Sequence, residues 1–343
     1  MITIGIDPHK SSLTAVALDP SGQIADSIRL PVDGAVVGQL LAWAQRWGPR
    51  RWAVEGAAGL GRGVAQGLAV AGECVVDVPA QLAARARLLD TGHARKTDAI
   101  DAASVAVVAQ RSRRLHRVHP EDQSVVLRLL SERRDDLAGE RVRVVNRLHA
   151  LLRDLIPGGA RRNLTAEQAS ALLDGVQAMT APDAQRQQLA VDLVADLRRL
   201  DAALAANTTD IAAAVEAQAS TLTQIHGIGP VLAAKIIGQT GVVQRFPTRY
   251  HYASYCGTAP IEASSGEQRR HRLSRAGNRQ LNRALHLVAV CQIRTKSPGR
   301  EFYQRKLAES KTAAEARRAL KRRLCDTIYR HLTRDHLARQ PQP

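Results

Sequence analysis

Aromatic residues are scarce in this chain: three Trp, five Tyr and two Phe make up 3% of its 343 residues. Stacking of bases on aromatic platforms therefore has little to work with. The four cysteines, Cys74, Cys256, Cys291 and Cys325, lie far apart and form no Cys-x-x-Cys pair. That spacing argues against a disulfide framework and a thiolate zinc site, and it suits a reducing compartment. No uncharged apolar run approaches the roughly 18 residues of a membrane span. The opening Met1-Ile2-Thr3-Ile4-Gly5-Ile6-Asp7 lacks the basic start and cleavage site of a secretion signal. The expectation is a soluble, unprocessed, cytoplasmic protein. No Gly-x-Ser-x-Gly elbow appears, which disfavours a serine hydrolase. The 11 histidines are scattered without ligand spacing, which gives no support to a histidine-based metal site and leaves His9 as a structural or phosphate-facing residue.

Acidic residues are also in short supply, 32 against 49 basic ones, for a net charge of +17. The excess is localised. From Arg269 to Arg323 there are 17 basic and 3 acidic residues, leaving only +3 for the rest. A solvated helix face usually mixes signs, so a one-signed stretch points to a polyanion whose counterions are released on binding. Nucleic acid gripped by its backbone is the expected partner.

Length and pattern predict several domains. Residues 1–118 alternate short β-rich runs (Ile2 to Ile6, Leu13 to Leu18, Ile24 to Leu30, Arg51 to Glu55, Cys74 to Val78) with amphipathic helices. The order β-β-β-α-β-α-β-α is that of an RNase H or RuvC-like fold, a mixed sheet that presents residues at its strand ends to one crevice. Residues 119–217 read as a helical, weakly coiled-coil region. Leu127, Leu130, Leu137, Val144, Leu148, Leu151 and Leu155 form one seam, and Leu189 to Val215 a second, interrupted at Asn207. An intramolecular hairpin and an interface between protomers are equally compatible with it. Residues 218–333 read as a mainly helical domain, and 334–343 as a tail.

Asp7 follows the first strand and Glu55 ends the fourth; in such a sheet these strands are neighbours. Asp98 and Asp101, three apart, share one helix face. Singly, each reads as a turn, ion-pair or helix-start acid. Together they form a set of carboxylates that repel unless a divalent cation relieves them, and Mg²⁺ prefers a few carboxylate oxygens while leaving positions for phosphate. Lys10 and Lys96 are candidate phosphate partners. Ile225-His226-Gly227-Ile228-Gly229-Pro230 matches a helix-hairpin-helix, in which Gly227 and Gly229 would let backbone N–H groups meet phosphate. Downstream, Ser264-Ser265-Gly266 is followed by Arg269, Arg270, Arg272, Arg275 and Arg279, cations able to polarise a phosphate beside a serine nucleophile.

Gly5-Ile6-Asp7-Pro8-His9-Lys10, Val54-Glu55-Gly56 and Lys96-Thr97-Asp98-Ala99-Ile100-Asp101 resemble the Asp-Glu-Asp-Asp signature of the insertion-sequence 110 family of transposases. Gly257-Thr258-Ala259-Pro260 and Ser265-Gly266 resemble that family's serine motif, with Arg275 standing where lysine is common and Ser264 adding a second hydroxyl. The resemblance spans nearly the whole chain. It implies a RuvC-like first domain, with Asp7, Glu55, Asp98 and Asp101 as ligands of Mg²⁺ or Mn²⁺. It further implies Ser265 as the nucleophile that forms a phosphoserine link to DNA, in a site shared between protomers of a tetramer made of two dimers. Double-stranded DNA at the element junction and target, and a non-coding bridge RNA, are the implied partners, with a nucleoid-associated location. Two other readings compete. A RuvC-like nuclease or junction resolvase would use metal-activated water, and a scaffold would bind nucleic acid without chemistry.

Overall fold

The computed structural model describes residues 1–91, 97–262, 271–272 and 277–339. They fall into two compact units, 1–121 and 122–343.

The first unit is built on six strands: β1 (Ile2–Pro8), β2 (Ser12–Leu18), β3 (Ile24–Pro31), β4 (Arg50–Glu55), β5 (Val75–Val78) and β6 (His116–Arg117). Its helices are α1 (Val36–Ala44), α2 (Arg62–Val70), α3 (Ala80–Thr91) and α4 (Asp98–Arg111). The sheet order is β3-β2-β1-β4-β5-β6. β1 is antiparallel to β2 and parallel to β4, and β4 is parallel to β5. An antiparallel meander leading into parallel central strands is the expected RNase H-like arrangement. β6, two residues at an edge, carries too little pattern to be seen in sequence.

Strand alternation divides the sheet's side chains between two buried faces. Ile4, Ile6, Leu13, Trp52 and Val54 pack with α1 and α2 through Leu40, Val64 and Leu68. On the other face, Ala53, Val76 and Val78 pack against Val105 and Ala109 of α4, while Val16 and Leu18 meet Ala102 and Ala106. A sheet covered on both faces explains why β1 and β2 read as nearly continuous apolar runs.

The second unit is helical: α5 (Gln123–Leu155), α6 (Ala166–Asp174), α7 (Ala181–Ala217), α8 (Pro230–Thr240), α9 (Arg249–Tyr255), α10 (Arg279–Arg294), α11 (Pro298–Ala308) and α12 (Ala313–Ala338), with a short ladder of β7 (Ile261–Glu262) and β8 (His271–Arg272). The two leucine seams meet within the chain. Leu137, Val144, Leu148 and Leu152 of α5 pack with Val194, Leu197 and Leu200 of α7, and α6 closes the bundle. Asn207, in the α7 seam, donates to the Leu130 carbonyl at 3.2 Å. Both long helices then run on, so that Leu127 and Ile211 lie in the same core as Ile236, Leu285 and Leu324. Residues 334–338, expected as part of a tail, complete α12, because the buried Asp335 is tied to the start of the segment Thr221–Gln224.

Candidate active site

Gly5 sets the site's geometry. A Cβ there would lie 2.0 Å from the Ala102 carbonyl oxygen and 2.6 Å from the Ala106 nitrogen, so α4 rests directly on the β1 backbone. One α-helical turn before Ala102 stands Asp98; two residues beyond Gly5, on the same face, stands Asp7. About 6 Å of helix rise matches about 6.6 Å of strand rise, and this match delivers the two carboxylates to one place. Asp7 lies inside β1 rather than after it, and its side chain is largely buried.

The same logic places the other two acids. Ala53 packs with Val105 and Ala109. Glu55 is two residues beyond Ala53, and Asp101 is one turn before Val105. The ridge Asp98-Ala102-Ala106 thus lies over β1, and the ridge Asp101-Val105-Ala109 over β4. Glu55 ends β4 half-buried, and the buried Asp101 forms an ion pair with Arg87 of α3.

The tightest grouping includes a residue that the sequence reading took as structural or phosphate-facing. His9 Nε2 lies 3.2 Å from Asp7 Oδ2 and 3.4 Å from Asp98 Oδ1. One ligand atom from each of Asp7, His9 and Asp98 falls within 4.8 Å of the others, the one such group among the described residues. The Asp-x-His spacing just where β1 ends is the signal that was available. Arg29 was also missed. Asp7 pairs in register with Thr14, and Thr14 with Arg29, so these three form a row across the sheet. From there Arg29 Nη1 reaches Asp98 Oδ2 at 3.2 Å, beside a groove of about 460 Å³ lined by Thr14, Arg29 and Thr97. Thr97 caps α4, its Oγ1 accepting from the Ile100 N–H, which fixes the approach of Asp98.

The donor set suits a divalent cation. Two carboxylates supply hard oxygens, an imidazole nitrogen is admissible to Mn²⁺ and related ions, and the neighbouring groove leaves space for phosphate. Asp7, Asp98 and His9 are the residues that would hold it.

Lys10 is exposed in the β1–β2 turn, Arg279 is exposed at the start of α10, and Arg272 falls in β8, paired with Ile261. Lys96, Ser264, Ser265, Arg269, Arg270 and Arg275 lie outside the described residues. In the hairpin before α8, Gly227 adopts φ +86° and Gly229 caps the helix. A Cβ on Gly227 would meet Cys291 Sγ at 3.2 Å, so the close approach this glycine permits is to α10.

A sheet in the order β3-β2-β1-β4-β5, with acids gathered at the ends of its central strands and the start of α4, defines an RNase H-like domain of the kind that works on phosphodiesters. Residues 4–157 match the family model of the IS110-type DEDD transposases, and residues 219–304 that of the IS116/IS110/IS902 transposases. The chain belongs to the IS110 family and is a DNA transposase, an enzyme of phosphodiester transfer. It is 29% identical to the 44.8 kDa protein of insertion element IS116 from Streptomyces clavuligerus, with 100% of this chain and 97% of that one covered. It is 28% identical to the 42 kDa protein of IS900 from Mycobacterium paratuberculosis, over 98% and 96% of the two chains. A solved structure of Thermus thermophilus RuvC with a Holliday junction overlaps 34% of this chain and 99% of its own, at 16% identity and a TM-score of 0.28. The strand order alone carries the fold assignment.

Proposed function

We propose that this transposase cuts and exchanges DNA strands at the ends of its insertion element and at the target by a serine-linked route. Asp7, Glu55, Asp98 and Asp101 hold Mg²⁺, or Mn²⁺ in its place, with His9 as a further donor, and Ser265 attacks the scissile phosphate. The observation that supports it most is the seating of α4 on Gly5, which brings Asp98 to Asp7 and His9.

A cation bound there would supply Lewis-acid stabilisation of charge developing on phosphate oxygens. The chain's own part is positional. Thr97 and Gly5 fix α4, and Arg87 and Arg29 balance Asp101 and Asp98. Attack by the Ser265 oxygen forms its bond to phosphorus while the bond to the departing deoxyribose oxygen breaks, and that oxygen takes up a proton. Reversal of the step by another strand's hydroxyl restores the serine and joins DNA. Lys10, Lys96, Gly227, Gly229, Arg269, Arg270, Arg272, Arg275 and Arg279 contact nucleic acid in this reading. A bridge RNA selects the DNA, four protomers assemble as two dimers, and the protein works in the cytoplasm on the nucleoid.

The test is cleavage of labelled junction DNA by purified protein with Mg²⁺ and its copurifying RNA, resolved on a denaturing gel. The expected result is a slow, protein-linked DNA band lost in Ser265→Ala and in Asp7→Asn. Free nicked DNA that persists in Ser265→Ala would overturn the serine route in favour of metal-activated water.

A further inference from the structure

The second unit contains a groove of about 690 Å³ between the Gly257–Pro260 segment and the first half of α12. Four cations line it: Lys311, Arg318, Lys321 and Arg322. Against them stands Glu315, whose carboxylate accepts from Thr312 N–H at 2.9 Å and Thr312 Oγ1 at 2.7 Å and so serves as the α12 cap. Arg322 is partly neutralised by Asp326 at 2.8 Å. Among the described residues no carboxylate forms an ion pair with Lys311, Arg318 or Lys321.

Lys321 is the most telling of these. Its ammonium is half-buried and donates to the Asn282 side-chain oxygen at 2.7 Å, a neutral acceptor. The other end of that amide donates to the Cys256 and Gly257 carbonyls at 2.9 and 3.1 Å, which ties Lys321 to the Gly257 wall of the groove. Burial, followed by the Arg317 charge, depresses the Lys321 pKa, and burial together with Lys321 and Arg317 keeps the adjacent His286 neutral more readily than usual. A half-buried cation with only a neutral partner costs desolvation that an anion would repay.

We propose that this groove binds a backbone phosphate of the DNA substrate, with Lys321 at its floor and Lys311, Arg318 and Arg322 along its side. Several point cations along an open groove, with no aromatic platform among its lining residues, match a phosphodiester backbone rather than a base. Its wall ends at Pro260, five residues before Ser265 in the chain. Naming DNA rests on the strand-transfer reading; the groove's preference for phosphate does not depend on Ser265.

The test is anisotropy binding of a labelled 30-base-pair DNA duplex to the full-length protein in EDTA, from about 50 to 300 mM NaCl, which keeps it independent of cleavage. Arg318→Gln and Lys321→Met should each weaken binding about 5- to 10-fold and reduce the slope of log affinity against log salt by about one. Arg330→Gln, at an exposed position further along α12, should change neither. Arg318 is exposed, so its variant keeps the fold even if Lys321→Met unfolds. Unchanged affinity and slope in Arg318→Gln would overturn the proposal. So would losses confined to an RNA duplex of the same length, which would make the groove an RNA site.

Discussion

The α-carbon of Gly5 faces the carbonyl of Ala102 so closely that a methyl group there would lie 2.0 Å from the oxygen. Nothing flexible stands in the way; the obstacles are helix backbone atoms, so α4 must lift. Gly5→Ala is expected to cost more than the 1–3 kcal/mol typical of overpacking. In whatever fraction folds, Asp98 would be moved away from Asp7. Thermal unfolding and strand-transfer assays should both register the loss. Gly63→Ala is the control: on α2, a Cβ at Gly63 meets nothing within 4 Å, and replacing a helical glycine should stabilise by about 0.5–1 kcal/mol. Equal behaviour of the two variants would refute the packing argument.

His9 bridges Asp7 and Asp98, so its removal should affect ion binding before it affects folding. His9→Ala is expected to weaken Mn²⁺ affinity about 10- to 100-fold, the range found for residues that hold or orient ligands, with little change in melting temperature of the ion-free protein. Calorimetric titration with Mn²⁺ measures it. Unchanged affinity would remove His9 from the site.

The sequence marked Asp7, Glu55, Asp98 and Asp101 as candidates because each reads as lying at a strand end or a helix start. It did not show Arg29, which reaches the site through two steps of strand register, Asp7 to Thr14 and Thr14 to Arg29. Register depends on pairing between distant segments and leaves no local mark. Arg87 escaped notice for a similar reason: α3 has little amphipathic pattern, and its pairing with Asp101 is tertiary. The leucine seams were legible as seams, but whether they closed within one chain was not. The α6 side chains Ala169 and Leu173, buried against both long helices, settle that for the described fold.

Asp335 ties the far end of α12 to the start of the segment Thr221–Gln224. It accepts from the Thr221 N–H at 2.9 Å, Thr221 Oγ1 at 2.6 Å and Ser220 Oγ at 3.1 Å, and it is only 5% exposed. Removing a buried carboxylate that satisfies a backbone donor leaves that donor stranded. Asp335→Ala should therefore destabilise the protein by about 2–4 kcal/mol, read as a lower midpoint in urea, while a substitution at the exposed Arg330 should fall within about 0.5 kcal/mol of wild type. A midpoint unchanged by Asp335→Ala would show that the α12 terminus frays in solution.

Two histidines of the second unit make its stability depend on mild acid. Burial, then Lys321 and Arg317, lower the His286 pKa; burial, then Arg334, lower that of His331, with Asp335 opposing. In the unfolded chain both return to about 6.5. Between their folded values and about 6.5 the unfolded state binds more protons, so stability rises with pH across that interval. The contribution is therefore complete above pH 6.5 and is lost as pH falls toward the folded values. Carboxylates such as Glu73 act at lower pH. Burial would raise the Glu73 pKa, but hydrogen bonds from Arg50 and Trp52 prevail and hold it below its usual range. Melting temperatures at pH 7.5 and 6.5 should be nearly equal and that at pH 5.5 lower, and His286→Gln with His331→Gln should flatten the fall. An equally steep decline in the double variant would place the titrating groups elsewhere.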